Sequence, residues 1–301
     1  MKKHVFSILA AGSLWGLMGL FTRHMTALGF DSPGTLIIRC GLAAIGFGLT
    51  IVFSNPGLFR IHLRDIWCFL GSGLCSLLFF TYCYFQAISI LPLSAAAILL
   101  YTAPSMVMLM SLIVFHERLT AKKILALIMA FCGCALVSGI GGSERLTAMG
   151  IIYGLCSGFG YALYSIFARL ALNRGYDSRT INFYSCLLAT LASGFIWGFK
   201  EPVSLFFSGW DAILWGIGTG LVSCYLPYLL YTFGLSGIEP GKASIMASLE
   251  PVVATLTGVF IYHETLSLSG AIGVVLVLSA IVILNIKFRK ESLHTPDNDM
   301  N

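Results

Sequence analysis

Charged residues are scarce in this chain of 301 residues. Asp, Glu, Lys and Arg make up 10% of it, whereas a soluble domain carries about 25%. Apolar residues reach 57% and the mean hydropathy is +0.89. This composition excludes a water-soluble globular protein, because only lipid can cover so much apolar surface without aggregation. The basic residues stand singly or in pairs, so the net charge of +5 does not indicate nucleic-acid binding.

Sequence motifs for metal binding, nucleotide binding and catalysis are missing as well. The nine cysteines contain no C-x-x-C pair, so we expect thiols that fill small packing sites rather than disulfides or a zinc site. His116-Glu117 and His263-Glu264 lack the H-E-x-x-H spacing of a zinc enzyme, which favours capping or interface roles. The Gly-Lys-Ala sequence at 241–243 lacks the residues that complete a P-loop. We therefore expect no enzyme and no metal site.

Ten apolar stretches of about 20 residues run along the chain, and each is long enough to cross a bilayer as a helix. Breaks rich in Pro, Gly, Asp and Asn separate them. The connections leave no room for a soluble domain. The predicted spans are 5–25, 33–54, 66–90, 93–115, 121–141, 148–171, 180–199, 210–236, 240–262 and 268–287. The sequence thus predicts an all-α polytopic membrane protein.

The positive charges lie mostly on one side of the predicted spans. Of the 18 Lys and Arg residues, only Arg23, Arg39, Arg145 and Lys200 fall towards the opposite side. Because cytoplasmic loops carry the excess of positive charge, we expect both termini in the cytoplasm, and an even number of spans agrees with this. Met1-Lys2-Lys3 and the apolar run after it also fit a cleaved signal peptide. The first span has a counterpart in the second half, which favours a retained helix.

The second half of the sequence repeats the first at a shift of 146 residues, and of 147 further along. Gly29-Phe-Asp-Ser matches Gly175-Tyr-Asp-Ser, and Cys40 matches Cys186. Later, Pro104 matches Pro251. Each repeat contains five spans, an odd number, so the second must enter the membrane from the opposite face. Inverted repeats are typical of carriers that expose a central site to each side in turn.

The repeat predicts three segments of the chain. Residues 1–145 form the first repeat with spans 1–5, and residues 146–290 form the second with spans 6–10. Residues 291–301 are expected to be a disordered cytoplasmic tail.

Several residues, in order over both halves, resemble the EamA family of the drug/metabolite transporter superfamily. They include Leu14-Trp15-Gly16, Arg39, Tyr84-Phe85-Gln86-Ala87, Ala95-Ala96, Pro104, Glu117, Leu249-Glu250-Pro251 and Glu264. The resemblance covers residues 5–287. It implies a carrier of two inverted five-helix repeats that exports amino acids or other small metabolites across a bacterial inner membrane, without a cofactor. Gln86 and Trp15 are candidate cavity residues through this resemblance only.

Glu250 lies about ten residues into the ninth span, near the middle of the bilayer. A carboxylate at this depth is costly, so we expect it to face a cavity or a partner. It is either a site for a substrate amine or a proton, or a structural carboxyl bonded to a neighbouring helix end. Arg39 likewise either pairs with a carboxylate or extends towards the interface.

Pro104 and Pro251 free the carbonyls of Leu100 and Ala247, which need a partner or a water-lined cavity in lipid. Their matched positions indicate either the centre between the repeats or two structural kinks. Aromatic residues in spans 3, 4 and 8 either line a cavity or anchor and pack helices. The candidate substrate-binding or translocation residues are Glu250, Pro251, Ser248, Tyr101, Pro104, Tyr82, Gln86, Trp15, Tyr228 and Arg39.

The leading functional hypothesis is a secondary active exporter of amino acids or related small metabolites, with protons as a candidate second substrate. The alternative is a flippase for lipid-linked molecules or an efflux protein for amphiphilic drugs. An intramembrane enzyme is the weakest hypothesis, because the spans contain no nucleophile–base pair.

Overall fold

The computed structural model describes residues 2–138, 147–263 and 265–285. Glu264 and the predicted tail lie outside these ranges. The described part contains helices and turns and no strand. Ten long helices are α1 (Lys2–Ala27), α2 (Ser32–Ser54), α3 (Leu63–Ile90), α4 (Ser94–Phe115), α5 (Ala121–Val137), α6 (Ala148–Asn173), α7 (Ser178–Trp197), α8 (Trp210–Leu235), α9 (Pro240–Tyr262) and α10 (Leu268–Asn285). The predicted all-α class is confirmed.

Nine of these helices have at least 18 residues and are apolar enough to cross a membrane. The remaining one, α5, has 17 residues, which is about 25 Å at 1.5 Å per residue. A further short helix, Lys200–Phe206, lies between α7 and α8 and contains Glu201 and Pro202, which separate two of the predicted spans. The ten predicted spans each correspond to one of the ten long helices.

The helices pack in pairs that a two-fold rotation would exchange. Helix α2 packs along α7, α4 along α9, and α5 along α10. Helix α3 packs against α6, and the matching contact in the other half joins α8 to α1. Replacing each helix by the one five places away therefore reproduces the same set of contacts. Equivalent helices are five apart in the chain, which is an odd number. The two halves therefore run through the bundle in opposite directions, as the repeat predicts.

The two Gly-aromatic-Asp-Ser loops adopt one conformation. Gly29 and Gly175 have φ angles of 91° and 87°, which a residue with a Cβ atom rarely adopts. Asp31 and Asp177 then cap α2 and α7, each by accepting a hydrogen bond from a backbone N–H in the first turn, at 2.7 and 2.8 Å. Matched capping in both halves shows that the sequence repeat is also a structural repeat.

His116 and His263 also occupy equivalent positions. They end α4 and α9 in the left-handed conformation with φ of 53° and 54°. These are the only residues other than glycine with positive φ in the described ranges. A left-handed residue stops a helix and turns the chain away. The capping role predicted for the two histidines agrees with this geometry.

Both halves depart from regular α-helix at the same place in their third helix. Gly71–Leu78 of α3 and Leu221–Tyr225 of α8 are π-helical. Residues 74–78 correspond to 221–225 at the shift of 147. A π-helical segment rotates the side chains that follow it, and such segments are frequent at functional sites. The two segments lie in the helices that carry several of the candidate aromatic residues.

Large apolar side chains cover the outside of the bundle. Phe53, Phe195 and Phe260 are 84%, 86% and 74% exposed. A water-soluble protein rarely exposes contiguous apolar surface of this kind. The outer surface is therefore matched to lipid, while small residues and a few polar groups occupy the interior.

Candidate functional site

Helices α4 and α9, which meet at the two-fold seam, are each broken in the middle. The sequence predicts continuous spans over 93–115 and 240–262. Instead, α4 consists of Leu93–Leu100 and Ala103–Phe115, and α9 consists of Pro240–Ala247 and Glu250–Tyr262. Pro104 and Pro251 stand in the first turn of the second segments. Proline is tolerated there because the N–H groups of a first turn have no partner within the helix.

Equivalent glycines pack against the carbonyls freed at these two breaks. A Cβ atom on Gly12 of α1 would lie 3.0 Å from the Ala247 carbonyl oxygen. A Cβ atom on Gly158 of α6 would lie 3.3 Å from the Leu100 carbonyl oxygen. Gly12 and Gly158 match at the shift of 146. The freed carbonyls are therefore sheltered within the protein by close helix packing, which is where irregular backbone is tolerated at membrane depth.

The two breaks enclose a small cavity, called here the break cavity. Both repeats contribute to it. It is lined by Leu100, Tyr101, Ala103, Pro104, Tyr161, Ser244, Ala247, Ser248 and Glu250. Its volume is about 20 Å³, which is room for about one water molecule. Four of the candidate residues from the sequence, Tyr101, Pro104, Ser248 and Glu250, are thus brought together.

Glu250 is the acidic residue of the break cavity. It begins the second segment of α9, where the partial positive charge of a helix N-terminus favours an anion. Tyr161 of α6 lines the break cavity together with Glu250. Glu250 is only partly buried. A partly buried carboxylate at a cavity has capacity to bind a donor such as an amine, or a proton.

A second small cavity, called here the aromatic cavity, lies on the other side of Tyr161. Its lining residues are Trp15, Ser76, Leu77, Phe80, Tyr161, Tyr164, Ser165, Tyr228 and Tyr231. The volume is about 10 Å³, close to the lower limit for a single water. The Trp15 ring meets those of Tyr228 and Tyr231 at centroid distances of 5.3 and 5.2 Å. Trp15 and Tyr228, both candidates, are therefore in contact.

A buried polar network supports the aromatic cavity from behind. The Tyr164 hydroxyl donates to the Asn182 side-chain oxygen and is 2.7 Å from the Thr232 hydroxyl. Asn182 in turn donates to the Tyr228 carbonyl at 3.1 Å. Asn182 and Thr232 are both fully buried. Satisfied networks of this kind hold helices in one arrangement, here α6, α7 and α8.

Arg39 lies in α2 beside Met18 of α1. Its Nη1 donates to the Met18 sulfur at 2.8 Å, while its Nε is buried without a partner. Among the residues that the structure describes, no carboxylate lies within ion-pair distance of its guanidinium. Of the two alternatives from the sequence, pairing with a carboxylate is therefore not seen within these ranges.

Three other candidates line neither cavity. Tyr82 is 40% exposed and packs near Tyr153 and Trp197, with centroid distances of 6.5 and 6.4 Å. Gln86 is half-buried in α3 and lines neither cavity. Pro251 is buried and shapes the break without lining the cavity. The positions of Tyr82 and Gln86 correspond to helix packing in this conformation.

Tyr161 and Tyr164 are the main site residues that the sequence does not single out. Tyr161 lines both cavities. A signal for it exists, because Tyr161 matches Trp15 at the shift of 146. In the sequence, α6 is notable for Gly154 and Gly158, a pair of glycines four residues apart that allows close helix packing. Its aromatic residues look like packing residues until the two halves are aligned.

The described ion pairs all lie on the face at which α1 begins, called here the N-terminal face. Lys123 Nζ lies 3.3 Å from Glu117 and 2.6 Å from Glu239. Asp65 is bonded to Arg174 at 3.0 Å. The Lys123–Glu239 and Asp65–Arg174 contacts join the first repeat to the second. The Glu117–Lys123–Glu239 cluster, called here the latch, therefore ties the two halves together at this face.

A bundle of ten apolar helices in two opposed halves, with polar groups and broken helices at the seam, is the architecture of a membrane transporter. The chain belongs to the EamA-like transporter family, whose profile matches residues 2–139 and 148–286. It is thus a multi-pass membrane transporter, and the resemblance inferred from the sequence is confirmed.

Known relatives agree with this assignment. An uncharacterized transporter of Archaeoglobus fulgidus is 33% identical over 200 residues, covering 66% of this chain and 70% of the relative. The uncharacterized transporter YwfM of Bacillus subtilis is 22% identical, with 97% of each chain covered. A solved crystal structure superposes with a TM-score of 0.78 at 17% identity and covers 95% of this chain and 97% of its own. That likeness shows the fold.

Proposed function

We propose that the protein is a secondary active carrier that exports amino acids or related small metabolites by alternating access. The observation that carries the proposal is the break cavity, where two interrupted helices from opposed repeats meet beside the single carboxylate of Glu250. Broken helices at mid-membrane are typical substrate sites in transporters, because their ends offer unpaired backbone groups to a polar ligand.

The small size of the cavities fits a closed conformation of such a carrier. Cavities of about 20 and 10 Å³ hold water at most, so a metabolite needs the seam to open. The latch closes the N-terminal face, and opening there must separate Lys123 from Glu239. Exchange of the two repeats between equivalent arrangements would open one face while the other closes.

Each group of the seam then has a role. Glu250 binds the substrate ammonium group or a proton. The hydroxyls of Tyr101, Ser244 and Ser248 offer hydrogen bonds in the break cavity. Trp15 and Tyr228 supply the aromatic surface against which the substrate side chain packs. Arg39, with its Nε lacking a partner, would meet the substrate carboxylate when the seam opens. An amino acid carries both charges that these groups match.

The excess of basic residues on the N-terminal face supports a location in the cytoplasmic membrane of a bacterium, with both termini in the cytoplasm. In that orientation the latch closes the cytoplasmic side. Net export would be driven by the substrate gradient or by exchange for protons, with Glu250 as the site at which a proton and a substrate amine compete.

A flippase for amphiphilic or lipid-linked molecules is the second candidate, favoured by a groove on the lipid-facing surface between α2 and α7. The groove has a volume of about 460 Å³ and is lined by apolar side chains, among them Ile45, Leu49, Phe183 and Leu187. It shares no lining residue with the break cavity or the aromatic cavity. Thr190 is the one polar side chain in its lining, which makes the solute carrier the better supported function.

The proposal is tested by flux into liposomes that contain the purified protein. A panel of labelled amino acids and a fluorescent lipid are compared, with and without a pH gradient. We expect saturable flux of at least one amino acid and no movement of the lipid. Lipid movement without amino-acid flux would replace the carrier by the flippase.

Glu250→Gln tests the assigned site in the same assay. Loss of a charged hydrogen-bond partner costs about 1.5–3 kcal/mol, so we expect transport to fall about tenfold to hundredfold. Any dependence of transport on a pH gradient should also disappear in this variant. Glu201→Gln, an exposed carboxylate on the short helix between α7 and α8, is the matched control. If Glu250→Gln transports like the wild type at every pH, Glu250 is a structural carboxyl.

A further inference from the structure

Three cysteines from three different helices meet in the interior of the bundle. Cys40 of α2, Cys186 of α7 and Cys224 of α8 have their sulfur atoms within 4.8 Å of one another. The sulfurs of Cys186 and Cys224 are 4.0 Å apart. All three are free thiols, and each is at most 1% exposed. The sequence predicts isolated packing thiols, because intervals of 146 and 38 residues conceal this meeting.

The two-fold symmetry of the fold explains the cluster. Cys40 and Cys186 are equivalent residues on α2 and α7, which pack along each other at the seam. Cys224 lies in the π-helical segment of α8. The residue that corresponds to Cys224 in the first half is Leu77, which is also buried. The symmetric position therefore offers an apolar side chain, and the cluster has three sulfur donors rather than four.

The spacing of the sulfurs matches a three-coordinate metal. Three thiolates around one ion with bonds of about 2.3 Å hold their sulfurs about 4.0 Å apart. The distance between Cys186 and Cys224 already has this value, and the third sulfur needs to move less than an ångström. Soft thiolate ligands select Cu(I), zinc and iron–sulfur clusters. Structural zinc takes four protein ligands, so a site with three sulfur donors favours Cu(I). Hard cations such as Mg²⁺ and Ca²⁺ require oxygen ligands.

The charge around the cluster also suits an anionic metal–thiolate group. Arg39 precedes Cys40 in α2, and its positive charge acts on all three thiols. Its Nε is buried without a hydrogen-bond partner. Three thiolates and one Cu(I) carry a net charge of minus two, and a buried guanidinium offsets part of it.

We propose that Cys40, Cys186 and Cys224 form a binding site for a soft, thiophilic metal ion of the Cu(I) type. Binding replaces three S–H protons by three metal–sulfur bonds and leaves the oxidation state of sulfur and metal unchanged. Because Cys40 belongs to the first repeat and the other two ligands to the second, the bound ion joins the two halves. The site is distinct from the break cavity, which contains no sulfur ligand.

The test measures metal retained by the full chain. Cells expressing the protein are grown with added copper, and the protein is purified in detergent and washed with a Cu(I) chelator. The bound copper is then determined by mass spectrometry. Ag(I), which does not change oxidation state, serves as a second probe added to the purified protein. We expect one ion per chain in the wild type and a loss of about tenfold or more in Cys186→Ser or Cys40→Ser.

Exposed thiols provide the control, because they bind soft ions without a built site. Cys75→Ser and Cys132→Ser remove the two exposed cysteines and should leave the retained ion in place. X-ray absorption of the copper-loaded wild type should show three sulfur neighbours at about 2.3 Å, and this measurement does not depend on any variant folding. Either of two results would show that the three cysteines only fill space. The wild type would retain no more copper than Cys186→Ser, or the retained copper would be lost in Cys75→Ser or Cys132→Ser.

Discussion

Lys123 is the residue that holds the two repeats together at the N-terminal face. It is 8% exposed and bonds both Glu117, which is equally buried, and Glu239 of the second repeat. Burial raises the pKa of Glu117 above its usual range, and the neighbouring Lys123 opposes that shift. In the latch, one buried cation is therefore shared by two acids. Removing one partner of a buried ion pair lowers the stability of the protein by more than the intact pair contributes to it.

Lys123→Met should destabilise the protein by about 1–3 kcal/mol, because a buried carboxylate is left without its cation. Without Lys123 the pKa of Glu117 rises further. A carboxyl whose pKa is raised on folding contributes stability below its unfolded pKa and loses it as the pH rises through the folded pKa. The stability deficit of the variant should therefore be largest at neutral pH and shrink on acidification.

Thermal unfolding in detergent, followed from neutral to mildly acidic pH, measures this deficit. Arg118→Met removes an exposed cation from the same loop and serves as the control, with little change expected at any pH. A deficit of Lys123→Met that is independent of pH would mean that Glu117 is not the group left uncompensated.

From the residues alone, the location of a single side chain at the seam was most predictable where depth in the membrane makes that side chain costly. Glu250 was identifiable in this way, since a carboxylate in the middle of an apolar span is expected to face a cavity or a partner. Tyr161 was not identified, because an aromatic residue among apolar ones is unremarkable unless it is matched with Trp15 at the shift of 146. The latch has no sequence signal at all, since its three members come from separate loops and helix ends.

At the scale of the helices, the breaks in α4 and α9 are the features on which the site depends. Each break is held by a neighbouring helix that approaches through glycine. At Gly16 of α1, a Cβ atom would lie 2.6 Å from the Glu250 carbonyl oxygen and 2.6 Å from Val253 Cβ. Contacts with backbone cannot be relieved by a rotamer change, so any side chain here must move α1 away from α9.

Gly16→Ala should therefore displace α1 and cost about 1–3 kcal/mol of stability, the usual cost of overpacking. Transport should fall as well, because Trp15 and Glu250 would separate. Gly19→Ala is the matched control three residues along the same helix, where nothing lies within 4 Å of the added atom. Thermal unfolding and liposome flux of both variants provide the comparison. Equal behaviour of the two variants would contradict the close packing of α1 on α9.

The positions of the spans were predictable from hydropathy, and the breaks were only partly so. Pro104 and Pro251 indicated disturbance in two equivalent helices, because proline removes one hydrogen bond from each. Whether a proline bends a helix or divides it depends on what shelters the freed carbonyls. In this fold Gly12 and Gly158 do so, and their approach is a tertiary contact that the local sequence does not specify.

For the whole molecule, the inverted repeat was the most predictable property. Matches in order at shifts of 146 and 147 require two related halves, and an odd number of spans requires opposite directions. The pairing of α2 with α7 and of α5 with α10 follows from symmetry rather than from any local pattern. The segment boundary at residues 145 and 146 stays a prediction, since residues 139–146 lie outside the described ranges.

Alternating access is the claim on which the proposed function depends, and counterflow tests it most directly. Liposomes containing the protein are loaded with an excess of unlabelled substrate found in the amino-acid panel, and a trace of labelled substrate is added outside. After unlabelled substrate leaves the liposome, the carrier's site returns to the inside loaded with labelled substrate. Label should therefore accumulate transiently inside the liposomes above its outside concentration, and Glu250→Gln should abolish this effect. Label that only equilibrates, at a rate unaffected by the substrate inside, would contradict alternating access.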